Sequence, residues 1–276
     1  MILASDLDRT LVYSAAAMRL GRPVDDPVLV ETYDGRPTSF VDPAALVELV
    51  ALSAEIPFVP VTTRTREQYA RIGLPGVRVA AAVTTNGAVI LVDGEPCGDW
   101  AAEVRRRGEA GEPYAEARRA TEAAWDHPWV EKVRDAEGQF FYAVVDAART
   151  PSDWYDELAA TAARIGWVLS VQGRKCYLIP PGLTKEAAVA EVARRLGADA
   201  VAAAGDSLLD AGMLAAADLA LRPAHGELHD QGWSCPGLLV TPSAGGRAAA
   251  EILGAVGRWS RGETAEWSTV ASDVVP

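Results

Sequence analysis

Short apolar runs along the chain alternate with stretches whose apolar residues recur at helical spacing, and this grammar changes twice. Ile2-Leu3-Ala4 opens the first run, which reads as a buried strand ending in Asp6 and Asp8. Residues 28–33 and 37–41 flank Asp34-Gly35, the signature of a hairpin, and predict a small β-flap within 25–41. Asp42-Pro43 supplies an N-cap and a proline at the first helical position. Leu46, Leu49 and Val50 continue that helix to about residue 53. The run 56–61 predicts a strand whose Pro60, with no N–H to donate, must hold the last paired position or lie beyond it. Thr65-Arg66-Glu67-Gln68 has capping-box form for a helix to about residue 73, and 77–83 predicts a third strand. Strand and helix in alternation mark a parallel α/β layer.

Beyond about residue 91 the order becomes helix, strand, strand, and it occurs twice. Helices are expected over 100–109 and 113–125, then an antiparallel pair, 129–134 with 139–145. Residues 150–153 look like the cap of a helix stopped by Gly166, followed by a second pair, 167–171 with 176–179. Five of the eight tryptophans (Trp100, Trp125, Trp129, Trp154, Trp167) fall here and read as core or interface residues. After Pro180-Pro181-Gly182 the α/β grammar returns. Helices are expected over 184–196, 207–217 and 245–256, and strands over 200–204, 219–221 and 238–241. The predicted organisation is a Rossmann-like α/β core in two parts, 1–90 and 181–265, an inserted α+β cap over 91–180, and a tail over 266–276.

Composition narrows the function classes. With 49% hydrophobic and 23% charged residues the chain buries a full core. A net charge of −12 argues against nucleic-acid or anionic-membrane partners. Three scattered cysteines, no leader-like N-terminus and no apolar span of about 18 residues lead to the expectation of a cytoplasmic protein.

Candidate chemistry sits at strand ends. Side chains two apart on a strand share a face, so Asp6 and Asp8 leave the first strand together. Like charges at that spacing invite a cation or a shared proton, or else mark a plain polar junction. Thr62 with Arg64, Lys185, and Asp206 with Asp210 occupy other strand ends or helix starts. In parallel sheets these positions converge outside the carboxyl ends of the strands. A carboxylate-rich oxygen set beside a lysine suits Mg²⁺ and a phosphate.

Asp6-Leu7-Asp8-Arg9-Thr10 resembles the DxDGT signature of haloacid-dehalogenase-like (HAD) phosphohydrolases. Val61-Thr62, Gly182-Leu183-Thr184-Lys185 and Gly205-Asp206-Ser207-Leu208-Leu209-Asp210 resemble the second, third and fourth motifs. Thr85-Asn86-Gly87 ahead of a doubled helix–strand–strand insert is similar to type IIB members with a C2B cap. The resemblance implies an aspartyl-phosphate on Asp6, general acid/base work by Asp8, and phosphoryl contacts from Thr62 and Lys185. It implies Mg²⁺ on Asp6, Asp8 (through its carbonyl) and Asp206. Thr10, Thr63, Arg64, Asn86, Ser207 and Asp210 read as supporting residues, and Arg174 and Lys175 at a cap hairpin tip read as leaving-group contacts or a solvated turn. The activity implied is a Mg²⁺-dependent phosphatase for a small phosphorylated metabolite, a sugar phosphate foremost. A phosphomutase or a non-catalytic ligand-binding protein on the same fold are the alternatives. Arg9 replaces the usual glycine, and Leu209 stands where many relatives carry asparagine. His225 and His229, four apart, lack the acidic partner of a zinc motif.

Overall fold

The computed structural model describes residues 1–107 and 112–265; the predicted tail, 266–276, and the end of the 100–109 helix lie outside the described residues. Strand β1 (Ile2–Ser5) leads through α1 (Ala15–Met18) to the flap, β2 (Val28–Tyr33) and β3 (Arg36–Val41). Helix α2 (Pro43–Glu55), with Asp42 accepting from the amides of Ala44 and Ala45, then feeds β4 (Phe58–Pro60). A short α3 (Arg66–Tyr69) follows, then β5 (Ala82–Thr84), β6 (Val89–Val92) and β7 (Glu95–Pro96).

The next segment holds α4 (Gly98–Arg107), α5 (Tyr114–Ala120), β8 (Val130–Ala136), β9 (Phe140–Val145), α6 (Ser152–Arg164), β10 (Val168–Gln172) and β11 (Lys175–Ile179). The chain closes with α7 (Lys185–Arg195), β12 (Val201–Ala204), α8 (Ala211–Ala215), β13 (Leu219–Arg222), α9 (Glu227–Asp230), β14 (Leu239–Val240) and α10 (Arg247–Ser260).

The central sheet is parallel, in the order β14-β13-β12-β1-β4. The early part of the chain adds β4 on one side of β1, and the late part adds β12, β13 and β14 on the other. The order therefore reverses at β1, and such a switch point opens a crevice at the carboxyl ends of the strands. Alternation along the strands divides the core. Ile2, Ala4, Val59 and Ala203 face one side, while Leu3, Phe58, Ala202 and Ala204 face the other, against α2 and α10. A separate antiparallel sheet, β10-β11-β9-β8, forms the cap, and its apolar face packs on Trp154, Leu158 and Ala162 of α6.

Several expectations are corrected. The run 77–83 forms a strand only from Ala82, and its ladder is antiparallel to β6. It meets β4 and the residue just after it at two isolated parallel bridges, Phe58↔Val79 and Val61↔Val83. Pro60, paired with Ser5 at the end of β4, has no N–H to give between those points. Helix α3 stops at Tyr69, four residues short of the expected end, although its Thr65/Gln68 capping box is present. The expected helix 207–217 splits into a 3-10 turn, Leu208–Asp210, and α8, because Asp210 folds back to bind the loop before it. Helix α6 begins after Pro151 with no side-chain cap.

Candidate active site

Register brings the acidic residues together. Ser5 pairs with Ala204, so Asp6 and Asp206 leave adjacent strands one step apart in level. The carboxylates of Asp6, Asp206 and Asp210 each offer an oxygen within 4.8 Å of the others, and all three are buried. Lys185, 1% exposed, projects from the first turn of α7 with its Nζ 2.6 Å from both Asp6 Oδ1 and Asp210 Oδ1. The second oxygen of Asp210 accepts from Ser207 Oγ (2.8 Å) and from the amides of Asp206 (3.2 Å) and Ser207 (2.9 Å). Gly205 permits this fold-back, since a Cβ there would lie 2.4 Å from that of Asp210.

The cluster is short of positive charge. Burial pushes the Asp6 carboxyl up to about 7 despite Lys185, and burial with the Asp6 charge drives Asp206 well above the usual carboxylate range. Arg9 gives Asp206 partial relief, with its Nε 3.4 Å from Asp206 Oδ2. Arg9 also adopts the left-handed backbone (φ 67°) that explains the glycine usual at its position. An all-oxygen, electron-rich donor set of this kind fits a hard divalent cation.

Asp8 has a different environment. Arg64 grips it through Nε (2.7 Å to Oδ2) and Nη2 (2.8 Å to Oδ1). Burial opposes ionisation there, but the charge and hydrogen bonds of Arg64 prevail and hold Asp8 at about 2. Arg64 is steadied in turn by Glu31 of the flap, whose carboxylate also accepts from Arg71 and Ser39. Glu31 is a residue the sequence reading missed. A bulge in β2 at Glu31 turns it inward beside the buried Val30, which strict alternation does not allow.

The remaining predicted residues also have places. Thr62 is fully buried, its Oγ1 accepting from the amide of Arg64. Asn86, at φ 53°, donates to the carbonyl of Leu183 and so ties the second motif's region to the third. Thr10 is buried with its hydroxyl unpartnered, and Thr63 lies near Tyr177 of the cap. Lys175 lines a cavity that also reaches Asp8 and Arg9. Arg174 is the exception: although it borders the same cavity, it is engaged with Glu131 and the carbonyl of Val145.

The cap rests on the core through groups that no motif announced. Glu137 accepts from Thr85 Oγ1 (2.5 Å) and Arg66 Nε (2.8 Å). Glu227 accepts from Ser170 Oγ and the amide of Val171 on β10, and also from the amide of Leu208 beside Asp206. Both glutamates sit in turns or helix starts, where no hydrophobic period marks an inward residue.

His225 ties two loops together. Its Nε2 donates to the Arg9 carbonyl (2.8 Å), and its Nδ1 accepts from the amide of Gly245 (3.1 Å). Burial lowers its pKa to about 4, so the folded protein keeps it neutral. The unfolded chain binds a proton near pH 6.5, so this group's stabilisation is intact above that pH and is lost as pH falls toward 4. The loss amounts to about 3 kcal/mol at most. Denaturant titrations at pH 7 and pH 4.5 should show a smaller stability difference in His225→Gln than in the parent; equal differences would exclude this role.

No protein-family model and no curated protein matches the sequence. Solved structures do match. The sucrose-phosphatase of Synechocystis, solved with sucrose and phosphate, superposes with a TM-score of 0.63 over 94% of this chain and 98% of its own, at 15% identity. A trehalose-6-phosphate phosphatase related protein gives 0.55 over 95% and 99%, at 16% identity. A sugar phosphatase of HAD subclass IIB gives 0.54 over 87% and 93%, at 13% identity. The chain thus has the haloacid-dehalogenase-like fold. In it an antiparallel cap is inserted into the parallel α/β core, as in those structures.

Proposed function

We propose that the protein is a Mg²⁺-dependent phosphatase of small phosphorylated metabolites, sugar phosphates foremost, working through an aspartyl-phosphate on Asp6. The observation that carries this reading is Lys185 between Asp6 and Asp210, with Asp8 and Asp206 at the same switch point. Reported phosphatases of this fold support it, as does a cap closed over the crevice. The free thiols Cys97, Cys176 and Cys235 are compatible with a reducing compartment.

Asp6 and Asp206, with the Asp8 carbonyl, would hold Mg²⁺, and Asp210 would support them. The ion would supply positive charge for the phosphoryl oxygens and the crowded carboxylates. Lys185 binds a phosphoryl oxygen and keeps Asp6 oriented, and Thr62 Oγ donates to another. Asp6 attacks phosphorus while the ester P–O bond breaks, and the leaving oxygen takes a proton from Asp8. Water then attacks the aspartyl-phosphate and gives its proton back to Asp8, releasing phosphate.

Before substrate binds, Asp8 is ionised by Arg64 and is unsuited to the first proton transfer. The incoming phosphoryl dianion adds like charge beside it and competes for Arg64, and both effects raise its proton affinity. Phosphate release from an ester panel, with Mg²⁺ and after chelation, tests the reading. Release from at least one ester that disappears on chelation and returns with Mg²⁺ is expected. Isomer interconversion without release would point to the mutase, and tight binding without turnover to a ligand-binding protein.

A further inference from the structure

The cap sheet turns one polar face toward the crevice, and strand register determines its composition. Lys132 pairs with Val144, and Val144 with Lys175; in the next row Arg134 pairs with Tyr142, and Tyr142 with Tyr177. Residues directly opposed across strands share a face, so Lys132, Arg134 and Lys175 look the same way. The opposite face carries Phe141, Ala143, Val145, Cys176 and Leu178, all buried in the cap's own core.

That polar face walls a cavity of about 530 Å³ lying between the cap, α3 and the flap. Its charges are unequally satisfied. Glu137 is taken by Arg66 and Thr85, Asp135 by the Tyr114 hydroxyl and the Gly138 amide, and Glu67 lies 3.8 Å from Arg71. Among the described residues, neither Lys132, Arg134 nor Lys175 has a hydrogen bond or ion pair from its side chain. Three cations on one face of a cavity repel one another and attract an anion. Lys175 also lines the neighbouring cavity, which opens on Asp8 and Arg9, so the cationic face is continuous with the place of bond cleavage.

We propose that the substrate's leaving group carries a second anion, a carboxylate or another phosphate, held by Lys175 together with Lys132 and Arg134. This inference rests on the phosphatase reading and gives it a substrate class: phosphorylated sugar acids or bisphosphates in preference to neutral sugar monophosphates. The other cavity is walled partly by Val12, Ala17 and Leu20 and suits an uncharged part of the same molecule.

The test uses matched pairs of esters: glycerol 3-phosphate against 3-phosphoglycerate, and fructose 6-phosphate against fructose 1,6-bisphosphate. The anion-bearing member of at least one pair should show kcat/KM about tenfold higher or more, mostly through KM, as a charge-assisted contact implies. Which pair responds identifies the anion. In Lys132→Gln/Arg134→Gln, both at exposed positions, the ratio should fall toward one; Lys175→Gln should do the same. Equal or higher kcat/KM for the neutral member of both pairs, or a ratio unmoved in the double variant, would overturn the inference. Absence of hydrolysis of every ester, p-nitrophenyl phosphate included, would instead sink the phosphatase reading. Calorimetric binding of the same pairs would then decide the inference: tighter binding of the anion-bearing member, lost in the double variant, supports it, and equal binding overturns it.

Discussion

Replacing Asp6 with asparagine should lower phosphate release by at least about 10³-fold, as expected when a covalent nucleophile is lost. The same substitution should leave the protein as stable as the parent, or more so. Asp6 is buried beside Asp210 and Asp206, and burial has already pushed its carboxyl up to about 7. A neutral amide of the same shape removes one of these crowded charges. The stability contributed by a raised carboxyl is present below its unfolded pKa and lost as pH rises through the folded one. The gain from Asp6→Asn should therefore appear above about pH 7 and fade toward pH 4. Thermal melts at pH 8 and pH 5, run beside the rate assay, would check both halves. Undiminished phosphate release would end the proposed mechanism, and a collapsed melting temperature would show that the asparagine disturbs more than chemistry.

Lys185→Met should have the largest effect on folding. The ammonium is 1% exposed and is the cation that bridges Asp6 and Asp210. Removing one partner of a buried ion pair typically costs about 3–5 kcal/mol, because the other partner stays buried and uncompensated. For a chain of this size that corresponds to a fall in Tm of about 10 °C. Protonation of Asp6 relieves the variant, so the penalty should be greater at pH 8 than at pH 5.5. Saturating Mg²⁺ should recover part of it by supplying positive charge to the same carboxylates. A variant as stable as the parent at pH 8 would show that Lys185 does not neutralise them.

Much of this arrangement was legible in the chain. The buried run before Asp6, the Asp42-Pro43 helix start and the Pro60 rule each express a local constraint that tertiary structure left intact. Asp6, Lys185 and Asp206 were recognisable because strand ends at a switch point converge whatever the loops do. The illegible parts depended on distant partners. Nothing local reveals that the run around Val79 would meet its neighbour only at isolated bridges, nor that a bulge would turn Glu31 onto Arg64. Arg174 and Lys175 are adjacent at a turn, and only pairing with β9 shows that one joins the crevice wall while the other is held by Glu131.

Glu227 carries a mechanical consequence. Its Oε2 accepts from both Ser170 Oγ of the cap and the amide of Leu208, two residues from Asp206, while its Oε1 accepts from the amide of Val171. Any motion that lifts β10 breaks two of those three hydrogen bonds and exposes a half-buried acid further. The loop carrying Asp206 and Asp210 then loses the tension of a neighbour anchored from both sides. One side chain thus joins a strand of the mouth to the loop of the floor, so a displacement of β10 is felt directly beside Asp206.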